Sequence, residues 1–297
     1  MHENILRYKK SRYLSVSMLL LVICVGIYAS QGTMQPANGG TWQGYTLGVL
    51  ATLLIVWLAL LGRRKRNYTS GTGSVQGWTS AHVYLGTGLL VIATLHCAGQ
   101  FGYNVHTLAY VLMCLVIASG LYGVYSYMLY PRRSAKNRAN NSRENLFIEL
   151  NSLNDSVRKL GLLCEPDIRA VIDSALDRTT IGGGILTQLL ALDGSKILPT
   201  AGDVNVASAT RMASNVNQQA VVAFVAGRIP KCRKPQEAGR LQDLLTMLCR
   251  RQTLLTTIRK DIQFQGWMKI WLYFHVPLTI ALLFALTAHI IAVFFYW

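Results

Sequence analysis

The chain holds six histidines in 297 residues, and four of them fall into two pairs of identical spacing. His82 and His96 stand fourteen positions apart in AHVYLGTGLLVIATLHC, and His275 and His289 repeat that interval in FHVPLTIALLFALTAHI. On an α-helix fourteen residues rise about 21 Å and turn about 1400°, some 40° short of four turns. The two imidazoles of each segment therefore share a face and lie near opposite limits of a bilayer core about 30 Å thick. If the two helices run in the same direction, His82 comes level with His275 and His96 with His289. Each pair can then close both axial positions of one iron, which suits two stacked haems made for electron transfer rather than oxygen chemistry. Zinc and copper sites need clustered ligands, which a fourteen-residue interval on one helix does not supply. There is no C-x-x-C-H, so the haems would be non-covalent, of b type. The competing reading is that the histidines are structural hydrogen bonders in a haem-free membrane scaffold. Against it, polar groups at membrane depth are costly and mark function.

The elements that carry these residues are long apolar blocks at about 12–30, 43–62, 80–100, 106–130 and 269–297. No Lys, Arg, Asp or Glu occurs from Tyr13 to Gly62, from Asn67 to Pro131, or after Lys269. Blocks of this length without charge read as transmembrane helices. The expected fold is an all-α membrane protein with five transmembrane helices, a four-helix haem-binding bundle and a mainly helical cytoplasmic insertion. Residues 1–130 would hold helices one to four, 131–266 the insertion, and 267–297 the fifth helix that completes the bundle.

A formal net charge of +16 would suit nucleic-acid binding if it were spread over one domain. Instead the basic residues sit in RYKKSR, RRKR, PRRSAKNR and the 140–266 region, which alternating helices place on one side. That is positive-inside topology. It predicts an integral protein of the cytoplasmic (inner) membrane, with the N-terminus and insertion cytoplasmic and the C-terminus outside. The expected partners are membrane lipid and redox subunits, not nucleic acid. The first block ends in IYASQG and could pass for a secretory signal cleaved near Ala29; it is read as the first span. The six cysteines are scattered without C-x-x-C and read as packing residues.

Gly86 and Gly88 lie between the histidines of the third helix. They serve either close helix approach or clearance for a flat macrocycle. His106 opens the fourth helix without a partner at matching spacing. Three roles are open to it: an interfacial polar residue, a quinone hydrogen bonder, or a rival ligand at the outer haem. Helix two carries no ligand-type side chain and reads as scaffold. In the insertion, FIELNSLNDSVRKLGLL and EPDIRAVIDSALDR have helical periodicity, and GGGILTQLLALDGSKILPTAGD suggests a short strand or hairpin. The GGG at 182–184 lacks the context of a dinucleotide fingerprint. From Pro235 an amphipathic helix is expected to run almost directly into the fifth span.

With AHVYLGTGLLVIATLH and FHVPLTIALLFALTAH in view, the sequence resembles the haem-binding membrane domain of ferric reductases and NADPH oxidases, whose third and fifth helices carry paired histidines. A similar four-histidine scheme occurs in the cytochrome b of quinol–cytochrome c oxidoreductases. The likeness covers helices two to five, and the histidine spacing is its one specific motif. It implies a dihaem cytochrome b carrying electrons between the membrane faces, possible exchange with quinone, and partner subunits of iron–sulfur, flavoprotein or cytochrome c type. No sixth helix or flavin- or nicotinamide-binding domain follows Trp297, and the quinol-oxidase loop PEWY is missing, so self-sufficient NADPH oxidation is not expected. The alternative within the likeness is a stand-alone reductase of ferric iron or oxygen at the outer haem.

Overall fold

A computed structural model describes residues 5–32, 37–67, 73–139, 141–198 and 212–295. The expectations for Tyr296 and Trp297, for 33–36 and 68–72, and for the 199–211 part of the hairpin region lie outside them. Among the described residues five helices are long and apolar enough to cross a membrane. They are α1 (Arg12–Ala29), α2 (Trp42–Ala59) with its continuation α3 (Leu61–Arg66), α4 (Val75–Cys97), α5 (Val105–Asn137) and the apolar end of α10 (Pro235–Phe295). Their outward side chains, such as Leu19, Val22, Leu53 and Phe284, are apolar and exposed, the reverse of a water-soluble helix. The chain is a membrane-integral, α-helical protein.

The chain divides into two compact units, Met1–Tyr125 with Ile270–Trp297, and Ser126–Lys269. In the first, α4 packs against both α1 and α2. Its core is Cys24, Leu47, Ala51, Ile55, Leu58, Leu89, Ile92, Ala93, Met113 and Leu282. Helix starts follow local chemistry: Thr41 caps α2 by accepting from Gly44 N at 3.1 Å, and Ser74 caps α4 by accepting from Gly77 N at 3.1 Å. Trp78, expected just ahead of the third helix, lies within α4 and stacks on Trp57 at 4.9 Å.

The second unit contains α6 (Arg143–Gly161), α7 (Pro166–Asp177), α8 (Ile185–Leu189) and α9 (Gln219–Arg228). A two-residue antiparallel pairing joins Lys196–Ile197 to Ala213–Ser214. Ser142 caps α6 through Asn145 N at 3.0 Å, and Pro166 starts α7. The core here has the ordinary polarity of a water-facing domain. Val157, Ile172, Val221, Leu244 and Leu248 are buried, and most charges face outward, Arg251, Arg259 and Asp261 excepted.

One helix outruns the boundary that its proline suggests, and another passes through a proline inside its expected span. Helix α5 continues through Pro131, where the sequence ends it near YPRR, and α10 continues through Pro277. Pro131 costs one backbone bond, but the turns beyond it are held by side chains. Ser134 donates to Asp261, and Asn137 donates to Thr257 O at 2.8 Å. Asp261 is buried and also binds Arg143 at 2.6 Å and Arg138 at 3.3 Å. Leu244 is fully buried, and Leu244→Ala is expected to destabilise the second unit by about 2–5 kcal/mol. Leu163→Ala, on the exposed surface, should leave the unfolding midpoint of the detergent-solubilised chain almost unchanged.

Candidate functional site: two stacked histidine pairs

The four spaced histidines meet in two pairs. The His82 and His275 ring centres are 6.4 Å apart with the planes at 62°, and those of His96 and His289 are 6.1 Å apart at 84°. A metal bonded at about 2.0–2.1 Å to one nitrogen of each ring would put the ring centres roughly 6.3 Å apart. An edge-to-face aromatic pair also favours about 4.5–7 Å, so the separation alone does not discriminate. The hydrogen bonds made by each ring bear on which nitrogen carries the proton.

His82 Nδ1 lies 3.1 Å from Leu58 O and His96 Nδ1 lies 2.7 Å from Gly44 O. A carbonyl can only accept, so both rings carry their proton on Nδ1. His275 Nδ1 lies 2.9 Å from Ser119 Oγ, whose own proton goes to Val116 O at 2.8 Å. That hydroxyl is therefore the acceptor here as well. His289 Nδ1 meets His106 Nδ1 in a short contact. With His289 as donor, all four rings have Nδ1 occupied and leave the Nε2 lone pair free. This is how a protein presents imidazole to a metal, with the outer bond setting tautomer and ring direction.

Each acceptor comes from an identifiable place in the fold. Leu58 lies in the last turn of α2, next to the α2–α3 junction, where its oxygen also faces the N–H of the cap residue Leu60. Gly44 is in the first turn of α2, and a second lone pair on its oxygen can serve His96 beside the helix bond. The ring of His96 rests on Gly48, where an added Cβ would stand 2.7 Å from Cε1, and lies close to Gly39. On α5, Gly120 leaves room for His275, and a Cβ at Gly123 would stand 2.9 Å from the Trp271 ring. Trp271 in turn lies edge-on to His275 at 5.1 Å.

The two glycines of the third span part company. Gly86 is one turn from His82 on the same face, and the nearest neighbour of an added Cβ would be Leu58 Cδ1 at 3.9 Å. Gly88 faces α1, where a Cβ would come 2.8 Å from Ser17 Oγ, the group that donates to Tyr84 O. Six residues from His82 turn the helix by about 600°, which carries Gly88 away from the histidine face. His106 is neither remote nor alone, for its ring centre is 4.4 Å from that of His289. Among the described residues no group of three or more His, Cys, Asp or Glu is placed to hold a metal ion, so the arrangement consists of pairs.

Sequence reasoning missed α2 and Ser119. The Gly44-x-x-x-Gly48 spacing was a readable sign that another helix approaches there. Nothing marks Leu58 O or Ser119 Oγ in advance, because any residue has a carbonyl and a hydroxyl can bond within its own helix.

The fold and site define a class: an α-helical membrane protein with five membrane-crossing helices and two histidine pairs spaced along its bundle. No protein-family profile, curated protein or solved structure matches the chain.

Gly48→Ala should destabilise the bundle by about 1–3 kcal/mol, because the methyl group overlaps the His96 ring. Gly26→Ala, with nothing within 4 Å of the added carbon, should be neutral or slightly stabilising. Equal unfolding midpoints for the two variants in detergent would remove Gly48 as the seat of His96.

Proposed function

We propose that the chain is a dihaem cytochrome b. One haem b would lie between His82 and His275 and the second between His96 and His289, carrying electrons from one membrane face to the other. The observation that carries this reading is that all four rings have Nδ1 engaged, and that the partners of His82, His96 and His275 place the proton there and leave Nε2 for a ligand bond. His82 with His275 and His96 with His289 would hold the two irons, and each haem would supply a one-electron couple when bound. The chain's own residues do the rest. Leu58 O, Gly44 O and Ser119 Oγ accept the Nδ1 protons, hold the rings in place and raise the basicity of Nε2.

His106 distinguishes one level from the other. Its Nδ1 meets that of His289, and with His289 as donor it stands behind the outer histidine rather than as a rival ligand. The residue is exposed, so its remaining ring nitrogen is also where a quinone oxygen could find a donor. The spans carry no carboxylate or lysine for a proton path, so electrons cross without proton pumping. The basic loops orient the N-terminus and insertion toward the cytoplasm. The resemblance in the histidine segments supports a place as the membrane subunit of a redox complex, with an iron–sulfur protein, flavoprotein or cytochrome c as electron partner.

The purified chain should show a low-spin b-type spectrum with two haems and two redox transitions. Replacing His82 or His275 by Ala should remove the same transition, and replacing His96 or His289 the other. A colourless protein, or loss of haem that ignores this pairing, would overturn the reading. His106→Ala should keep two haems while shifting the potential of the His96/His289 transition alone. If quinol-driven haem reduction is unchanged in that variant, the quinone role of His106 falls.

A further inference from the structure

One exposed apolar surface lies outside the membrane-crossing helices and is not used by the proposed electron path. In the loop around α8, Ile185, Leu186, Leu190 and Leu192 are 61%, 72%, 59% and 55% exposed, while Leu189 between them is buried. No Lys, Arg, Asp or Glu occurs from Thr179 to Leu192. The exposure belongs to a fixed conformation. Arg259 clamps both ends of the loop with one nitrogen: Nη2 donates to Thr180 O at 3.0 Å and pairs with Asp193 at 2.8 Å. Arg259 and Asp193 are both buried, the side chains 6% and 3% exposed. Gly182 and Gly183, at φ +85° and +122°, make the turn into α8 in backbone that side-chain-bearing residues rarely adopt.

The middle of the loop is tied to one turn of α10. Leu189 O accepts from Gln263 Nε2 at 2.9 Å and from Trp267 Nε1 at 3.2 Å. A Cβ on Gly266 would sit 3.2 Å from Leu189 Cδ2, so the glycine lets the loop lie directly on the helix. This turn is the last before the chain loses its charges. Trp267 precedes Lys269 by two residues, a helix rise of about 3 Å, and no charged residue follows Lys269. Tryptophan and a snorkelling lysine are the residues that mark a headgroup boundary.

We propose that the α8 loop is a membrane-dipping element: Ile185, Leu186, Leu190 and Leu192 enter the bilayer at the headgroup–acyl boundary where the last span begins. The occupant of this surface is lipid rather than a protein partner for two reasons. The loop is packed on the turn of α10 that carries Gln263 and Trp267, directly ahead of the apolar end that already requires a membrane boundary. It also offers no charge from Thr179 to Leu192 with which to specify a protein partner. Leucine and isoleucine immersed to this depth are the usual apolar contribution of an interfacial helix. The loop then acts as a lateral foot that fixes the insertion against the membrane surface. The inference does not depend on haem binding.

The test uses the full chain, alone, in nanodiscs of phosphatidylcholine and phosphatidylglycerol doped with a phospholipid carrying a carbene-generating diazirine on its acyl chain. After irradiation, mass mapping should find label on peptides covering 185–192 as well as 270–295. Label on 270–295 with none on 185–192 would overturn the proposal and leave the patch to a protein partner. The double variant Leu186→Gln with Leu190→Gln changes only exposed side chains. It should lose most of the label on 185–192 and keep that on 270–295; undiminished label would overturn the role of these side chains.

Discussion

An imidazole inside an apolar helix bundle has no water to take its N–H proton, and leaving that donor unsatisfied costs a few kcal/mol. Much of the bundle's arrangement answers that constraint. Helix α2 approaches α4 so that Leu58 O and Gly44 O reach His82 and His96. Helix α5 meets α10 with Ser119 and His106 opposite His275 and His289. Each Nδ1 is held in this way, and the rings pair with centres 6.4 Å and 6.1 Å apart. The packing that satisfies the donors also brings the rings together in pairs.

Close approach on this scale needs backbone without side chains, and the glycines stand where rings come in. Gly48 lies under His96, Gly120 beside His275 and Gly123 under Trp271. Gly88 does a different task, admitting Ser17 so that α1 can close on α4. In a lipid-facing bundle no hydrophobic force separates lipid contact from helix contact. Specific pairing then rests on such fits and on hydrogen bonds, and a misplaced methyl at Gly48 strains both together.

The second unit is built under the opposite rule. Apolar side chains turn inward around Leu244, Val157 and Val221, and the buried charges are held by opposite charges or, for Arg251, by Asn154, Gln218 and Thr179. Asp261 answers Arg138 and Arg143, and Asp193 answers Arg259. The α8 loop breaks that rule with four outward aliphatic residues, and its firm anchoring shows the break to be a property of the folded state.

Much of this was legible in the chain. Charge-free blocks announce five membrane-crossing helices because lipid tolerates no other backbone there. A fourteen-residue interval announces which histidines share a face because helical geometry is fixed. The same arithmetic could have told Gly86 from Gly88, since only the former shares the histidine face. Folding alone decided which groups stand behind the rings. Leu58 O, Gly44 O and Ser119 Oγ carry no sequence mark, since every residue has a carbonyl and any helix can absorb a serine hydroxyl within itself. The neighbour of His106 was equally hidden: its contact with His289 joins residues 183 positions apart. Spacing along one helix determines direction, but what meets a side chain across a helix interface depends on how two helices rotate and slide, which only the packed structure sets.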